Sequence, residues 1–107
     1  MPHLPNPSDF KWPEGRIAAL SLTFDDARES QTANAIPILN RWRIPATFYV
    51  KVQAVEKEPE TWREAMRNGH EIGGHSLRHA CSGNFWFSRQ NPLEEYTLER
   101  MEEELVE

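Results

Sequence analysis

The chain has 107 residues, which bounds it at one small domain, and its 38% hydrophobic and 10% aromatic content permits a folded core. It contains no apolar run of about 18 residues, so nothing in it reads as a membrane span. The net charge of −5 with scattered cations argues against nucleic acid as a partner, and the single Cys81 excludes both an internal disulfide and a thiolate zinc site.

Residues 1–16 are proline-rich, lack the apolar stretch of a signal peptide, and read as an irregular lead-in. The compartment is not legible from them. The run IAALSLTF at 17–24 is nearly continuous in apolar residues and stops at Asp25-Asp26, as expected of a parallel strand buried on both faces. A helix is expected from near Asn34, with Pro37 in its first turn and Ile36, Leu39 and Trp42 along one stripe. IPATFYVKV at 44–52 supplies a second strand. EPETWREAMRNG supplies a second helix, with Trp62, Ala65 and Met66 on one face and Gly69 as its stop.

HEIGGHS gives a third short strand. The final segment predicts a helix capped at Asn91, with Pro92 in the first position and Glu94 completing a capping box. Its apolar face is Leu93, Tyr96, Met101 and Leu105. Its end collects glutamates where the helix dipole favours cations and shows no glycine stop, which reads as a helix cut in mid-course. Strands alternating with helices predict an α/β fold of about three βα units with a parallel sheet. Three units cannot close a barrel, so exposed strand edges are expected, and with them aggregation, self-association or dependence on missing sequence; a stable monomer on gel filtration would contradict this.

The chemistry concentrates at two places. Asp25 and Asp26 fall at the predicted carboxyl end of the first strand, and His75 and His79 at or just past the end of the third. Parallel strands present those ends on one edge of the sheet, so the four side chains can converge. The histidines, four apart, face one point if the chain turns helically after Gly74. Two imidazoles and a carboxylate form an open divalent-metal site. One aspartate then ligates, while the other stands beside a water whose pKa the metal lowers to roughly 7 and takes its proton. The pair lacks the internal glutamate of HExxH zinc proteases, and the order of residues does not suit the iron oxygenases with two histidines and a carboxylate.

SLTFDDARES, IPATFYV and GHEIGGHSLRH, in this order over residues 17–79, resemble the opening half of the polysaccharide deacetylase family, the NodB-homology domain. The resemblance implies a partial (β/α) barrel, with 17–107 as its truncated N-terminal part. It implies Asp25 as general base and Asp26, His75 and His79 as ligands to zinc, cobalt or another divalent ion. The implied reaction is metal-dependent hydrolysis of N- or O-acetyl groups on a carbohydrate polymer, with the oxyanion stabilised by the metal. Ala27 stands where the family has glycine, Arg28 where proline is frequent, and Gly74 where asparagine is frequent. A positive φ at Ala27 would strain it. The family's later arginine, aspartate and histidine motifs have no counterpart after His79, so the chain alone is expected to be inactive. The alternative is a non-catalytic carbohydrate- or metal-binding relative.

Other residues read more plainly. His70 is a structural residue at a strand entry, His3 is solvated, and Cys81 is a small buried hydrophobe. Phe85, Trp86 and Phe87 pack under a loop, since three adjacent aromatics cannot all face one groove. Arg78 meets either an anionic substrate or an acid.

Overall fold

The computed structural model describes residues 9–106, so His3 and the first half of the lead-in lie outside the described residues. A three-stranded parallel sheet in the order β1-β2-β3 organises the chain, formed by Thr23–Asp25 (β1), Thr47–Val50 (β2) and Glu71–Gly74 (β3). Helices α1 (Ile36–Trp42), α2 (Val52–Lys57), α3 (Pro59–Arg67) and α4 (Leu98–Val106) complete it. The architecture is that of an open, partial (β/α) barrel, as the sequence predicts. No described helix is long and apolar enough to cross a membrane.

Register explains the core. Phe24 pairs with Phe48 and Phe48 with Ile72, so one row of side chains crosses all three strands on the same face. Phe48 is fully buried, stacked on Phe24 at 4.9 Å and edge-on to Trp62 at 5.7 Å. Ile36 and Leu39 of α1 and Trp62 and Ala65 of α3 close over it. The next row, Asp25, Tyr49 and Gly73, faces the other way; a Cβ at Gly73 would stand 2.8 Å from the Tyr49 ring, so the aromatic needs glycine beside it. The glycine stop after α3 is also observed: Gly69 has φ +94° and its N–H donates to the Met66 carbonyl.

Several element boundaries differ from the sequence expectation. The strand predicted over 17–24 shrinks to Thr23–Asp25, and Ile17 and Leu20 stand 93% and 83% exposed. Its partner β2 is only four residues long, and a strand extends no further than its ladder. The Thr47 N–H, which bonds the Leu22 carbonyl, marks the last rung. Helical structure begins before Asn34: a π-helical stretch, Gln31–Ala35, leads into α1, and the Ile36 N–H reaches five residues back to the Gln31 carbonyl. This wide turn lets Pro37 follow without a broken ladder. Trp42 and Met66 are exposed rather than facing the core. Helix α2 was not expected from sequence; it is under two turns long and is held by Ala54 and Val55 against the core.

The last helix starts later than expected. Thr97, whose Oγ1 accepts from the Arg100 N–H at 3.2 Å, occupies the cap position assigned to Asn91. Glu94 instead accepts from the Gly83 N–H at 2.9 Å, tying the preceding 3₁₀ turn to the loop after β3. His70 is structural, as expected: its Nδ1 accepts from the Ala46 N–H at 3.2 Å and its Nε2 lies 2.7 Å from Asn40 Oδ1. That network fixes the Nε2–H tautomer, and burial lowers the imidazole pKa.

Candidate metal centre

Because Asp25, Tyr49 and Gly73 lie level in the sheet, Asp26 and His75 leave it one and two residues beyond the same line. The His75 N–H still bonds the Val50 carbonyl at 3.0 Å, carrying the pairing past β3. The result is a tight convergence. Asp26 Oδ1 lies 3.2 Å from His75 Nε2 and 3.2 Å from His79 Nε2, and the three donor atoms fall within 4.8 Å of one another. The two imidazole centroids are 4.9 Å apart.

The Asp26 oxygen is buried, yet among the described residues it accepts no hydrogen bond. An isolated buried carboxylate oxygen is costly, and a bound cation would satisfy it. Spacing agrees: donors about 2.0–2.1 Å from one ion at tetrahedral angles lie about 3.3–3.4 Å from each other. The donor set therefore fits a divalent ion with open positions.

Both arms of the site are bent into place. Asp26 and Ala27 have φ of 76° and 53°, so the turn after β1 runs left-handed through two residues that carry a Cβ. Alanine at 27 is thus in the conformation that favours glycine. Gln31 holds the turn, donating from Nε2 to the Asp25 carbonyl at 2.6 Å from a buried position. Nothing in the spacing marked Gln31; its partner is a backbone atom six residues away.

The histidine arm is not the helical turn expected. Ser76 and His79 have φ of 59° and 52°, and Ser76 Oγ accepts from the His79 N–H at 3.0 Å. A looped segment, rather than i to i+4 helical geometry, brings the imidazoles together. Cys81 is half-buried rather than core, with its sulphur 3.7 Å from His79 Nδ1. Were Nε2 to hold an ion, Nδ1 would carry the proton and face that sulphur. Asp25 stands exposed at the end of β1, outside the three-residue cluster.

Two further expectations resolve here. Arg78 meets an acid: its Nη1 donates to Glu104 Oε1 at 2.8 Å. Phe85, Trp86 and Phe87 are exposed rather than packed under the loop. The turn at Trp86–Ser88 aims Ser88 inward, where its Oγ accepts from the Cys81 N–H at 2.9 Å, and leaves the rings outside, Phe85 stacked on Phe87 and Trp86 edge-on to Phe87.

Burial pushes the Glu104 carboxyl pKa up, but hydrogen bonds from the Arg78 side chain and backbone and from the Tyr96 hydroxyl more than offset this, leaving it lowered. A depressed carboxyl pKa contributes stability above the unfolded value of about 4.3 and loses it as pH falls through the folded value. Urea midpoints are therefore expected to fall below about pH 4.5 more steeply in the wild type than in Glu104→Gln.

A parallel sheet with a carboxylate and two imidazoles gathered at its carboxyl edge places the chain among α/β proteins with a candidate metal site at the strand ends. The profile of the family described as polysaccharide deacetylase matches residues 13–107, and the chain belongs to that family. A chitooligosaccharide deacetylase from Bradyrhizobium is 37% identical over 59 residues, covering 54% of this chain and 27% of that protein. A peptidoglycan-N-acetylglucosamine deacetylase from Bacillus cereus is 29% identical over 66 residues, 61% of this chain and 31% of its own length. A solved structure described as T48 deacetylase with substrate superposes with a TM-score of 0.61 at 31% identity, covering 78% of this chain and 37% of that one. The chain thus spans about a third or less of the curated relatives it matches.

Proposed function

We propose that this chain carries the metal centre and general base of a hydrolase that removes N- or O-acetyl groups from a carbohydrate polymer. The observation that carries the reading is the convergence of Asp26 Oδ1 with both Nε2 atoms at 3.2 Å on the carboxyl edge of the sheet. Relatives described as deacetylases of peptidoglycan and of chitooligosaccharides support an acetylated glycan as the substrate class. Within this reading residues 17–107 form the N-terminal part of the catalytic domain and 1–16 its lead-in.

Asp26, His75 and His79 hold the ion, zinc or alternatively cobalt. A divalent cation there supplies Lewis-acid polarisation of the acyl carbonyl and of the attacking water. Asp25, exposed at the same edge, accepts the water proton as its oxygen bonds to the acyl carbon. The carbon–nitrogen bond then breaks as the leaving nitrogen takes a proton from a donor other than these residues, giving acetate and a free amine; for an O-acetyl group the carbon–oxygen bond breaks and the leaving oxygen is protonated instead. None of these four residues donates the proton to the leaving group, so the chain by itself is expected to bind the ion without turnover.

The test is zinc titration against a chromophoric chelator for wild type, His75→Ala, His79→Ala and Asp25→Asn. Each histidine variant is expected to bind at least about tenfold more weakly, and Asp25→Asn within about threefold of wild type. Equal affinity in wild type and both histidine variants removes the proposed centre. Acetate release from an acetylated chitooligosaccharide by the full-length protein separates the hydrolase from a binding relative that keeps the ion alone.

A further inference from the structure

We infer that Glu104 is a positioning residue for the metal centre: from the last helix it fixes the peptides between the two histidine ligands. The inference rests on the metal reading above. Glu104 is 5% exposed, a carboxylate buried near the end of a helix whose other glutamates face solvent. By helix-dipole reasoning alone this is a poor place for an acid. Its partners explain the position.

Leu77 and Arg78 lie between His75 and His79. The Leu77 N–H donates to the Glu104 carbonyl at 3.1 Å, and the Arg78 N–H to Glu104 Oε2 at 2.6 Å. Arg78 Nη1 and the Tyr96 hydroxyl both donate to Oε1, at 2.8 and 3.0 Å. From the other side Gln53 Nε2 donates to the Leu77 carbonyl at 3.0 Å. One residue, 26 positions beyond Arg78, therefore receives two successive backbone amides of a loop with no regular structure of its own.

That loop needs such a restraint. It holds Ser76 and His79 at positive φ, which neither residue adopts freely. Freed from Glu104, the segment can relax toward ordinary backbone, and the His79 ring then leaves Asp26. Outer partners that orient metal-ligating histidines are typically worth about 10–100-fold in metal affinity. Glu104 acts one step further out, on the backbone that carries the ring, so the lower end of that range is expected.

Zinc affinity by chelator competition, the visible spectrum of the cobalt form and ¹⁵N relaxation of the metal-free chain test this on wild type, Glu104→Gln and Arg78→Ala. Glu104→Gln keeps the shape and removes the charge that orders its three donors, the Arg78 N–H, Arg78 Nη1 and the Tyr96 hydroxyl. It is expected to weaken zinc about tenfold, shift the cobalt bands, and lower order parameters over 76–80 from about 0.85 to below about 0.6. Arg78→Ala, at an exposed side chain, keeps the backbone bond and is expected to lose about threefold. Unchanged affinity, spectrum and loop order in a folded Glu104→Gln overturn the inference. If Glu104→Gln does not fold, unchanged values in Arg78→Ala overturn it instead. A wild type that takes up no zinc removes the metal reading and the positioning role together, whereas zinc uptake unaffected by either variant removes this inference alone.

Discussion

Asp26→Asn is expected to remove the thermal stabilisation that zinc, under the proposed metal reading, confers on this chain. Saturation at one hundred times the dissociation constant adds about 2.7 kcal/mol to the folded state of a single-site protein. For a domain of about 100 residues that corresponds to a rise in melting temperature on the order of 10 °C or more. Asp26 is the sole anion of the cluster, and the same oxygen stands 3.2 Å from both imidazoles, so no remaining group replaces it. Asparagine is the informative substitution because Asp26 sits at φ 76°, a region asparagine tolerates better than most residues. The zinc-free variant should therefore melt close to wild type, with a zinc shift under about 2 °C. A zinc shift equal to that of wild type would mean that the ion binds elsewhere.

The second large effect is on stability. Phe48→Ala is expected to cost about 3–5 kcal/mol, read as a drop in the urea midpoint at unchanged slope. Phe48 is 0% exposed and touches the rings of Phe24, Trp62 and His70, the last edge-on at 5.5 Å, so its loss opens a hole that these neighbours cannot easily close. Total stabilities of small domains are of the order of 5–15 kcal/mol, so the variant would be close to unfolded. Trp42→Ala is the contrast. Both are aromatic positions in predicted elements, but Trp42 is exposed, and its change should stay within about 0.5 kcal/mol. Equal losses in the two variants would contradict the burial described here.

These two aromatics show where reading the sequence succeeds. Phe48 lies inside a short β-branched and aromatic run, and period two leaves little choice of face. Trp42 ends a helical stripe whose first two members, Ile36 and Leu39, are buried, and as the last residue of α1 it is left outside the core they close. The same logic applies to the histidine arm. Residue types and spacing marked the candidate ligands, but the loop between them takes its shape from Ser76, Gln53 and Glu104, the last two far off in the chain.

The chain's own order of residues determined the alternation of strands and helices, the parallel sheet, and the placing of Asp25, Asp26, His75 and His79 at strand ends. Those features rest on local periodicity and on what residue types can bind, and both are written into short segments. Only the tertiary structure decided that β1 is three residues long, that Ala27 runs left-handed, that Cys81 faces His79, and that an acid at the end of α4 is buried against Arg78. Each of these depends on a partner brought close by folding, and the energy of such a pair does not exist in either segment alone.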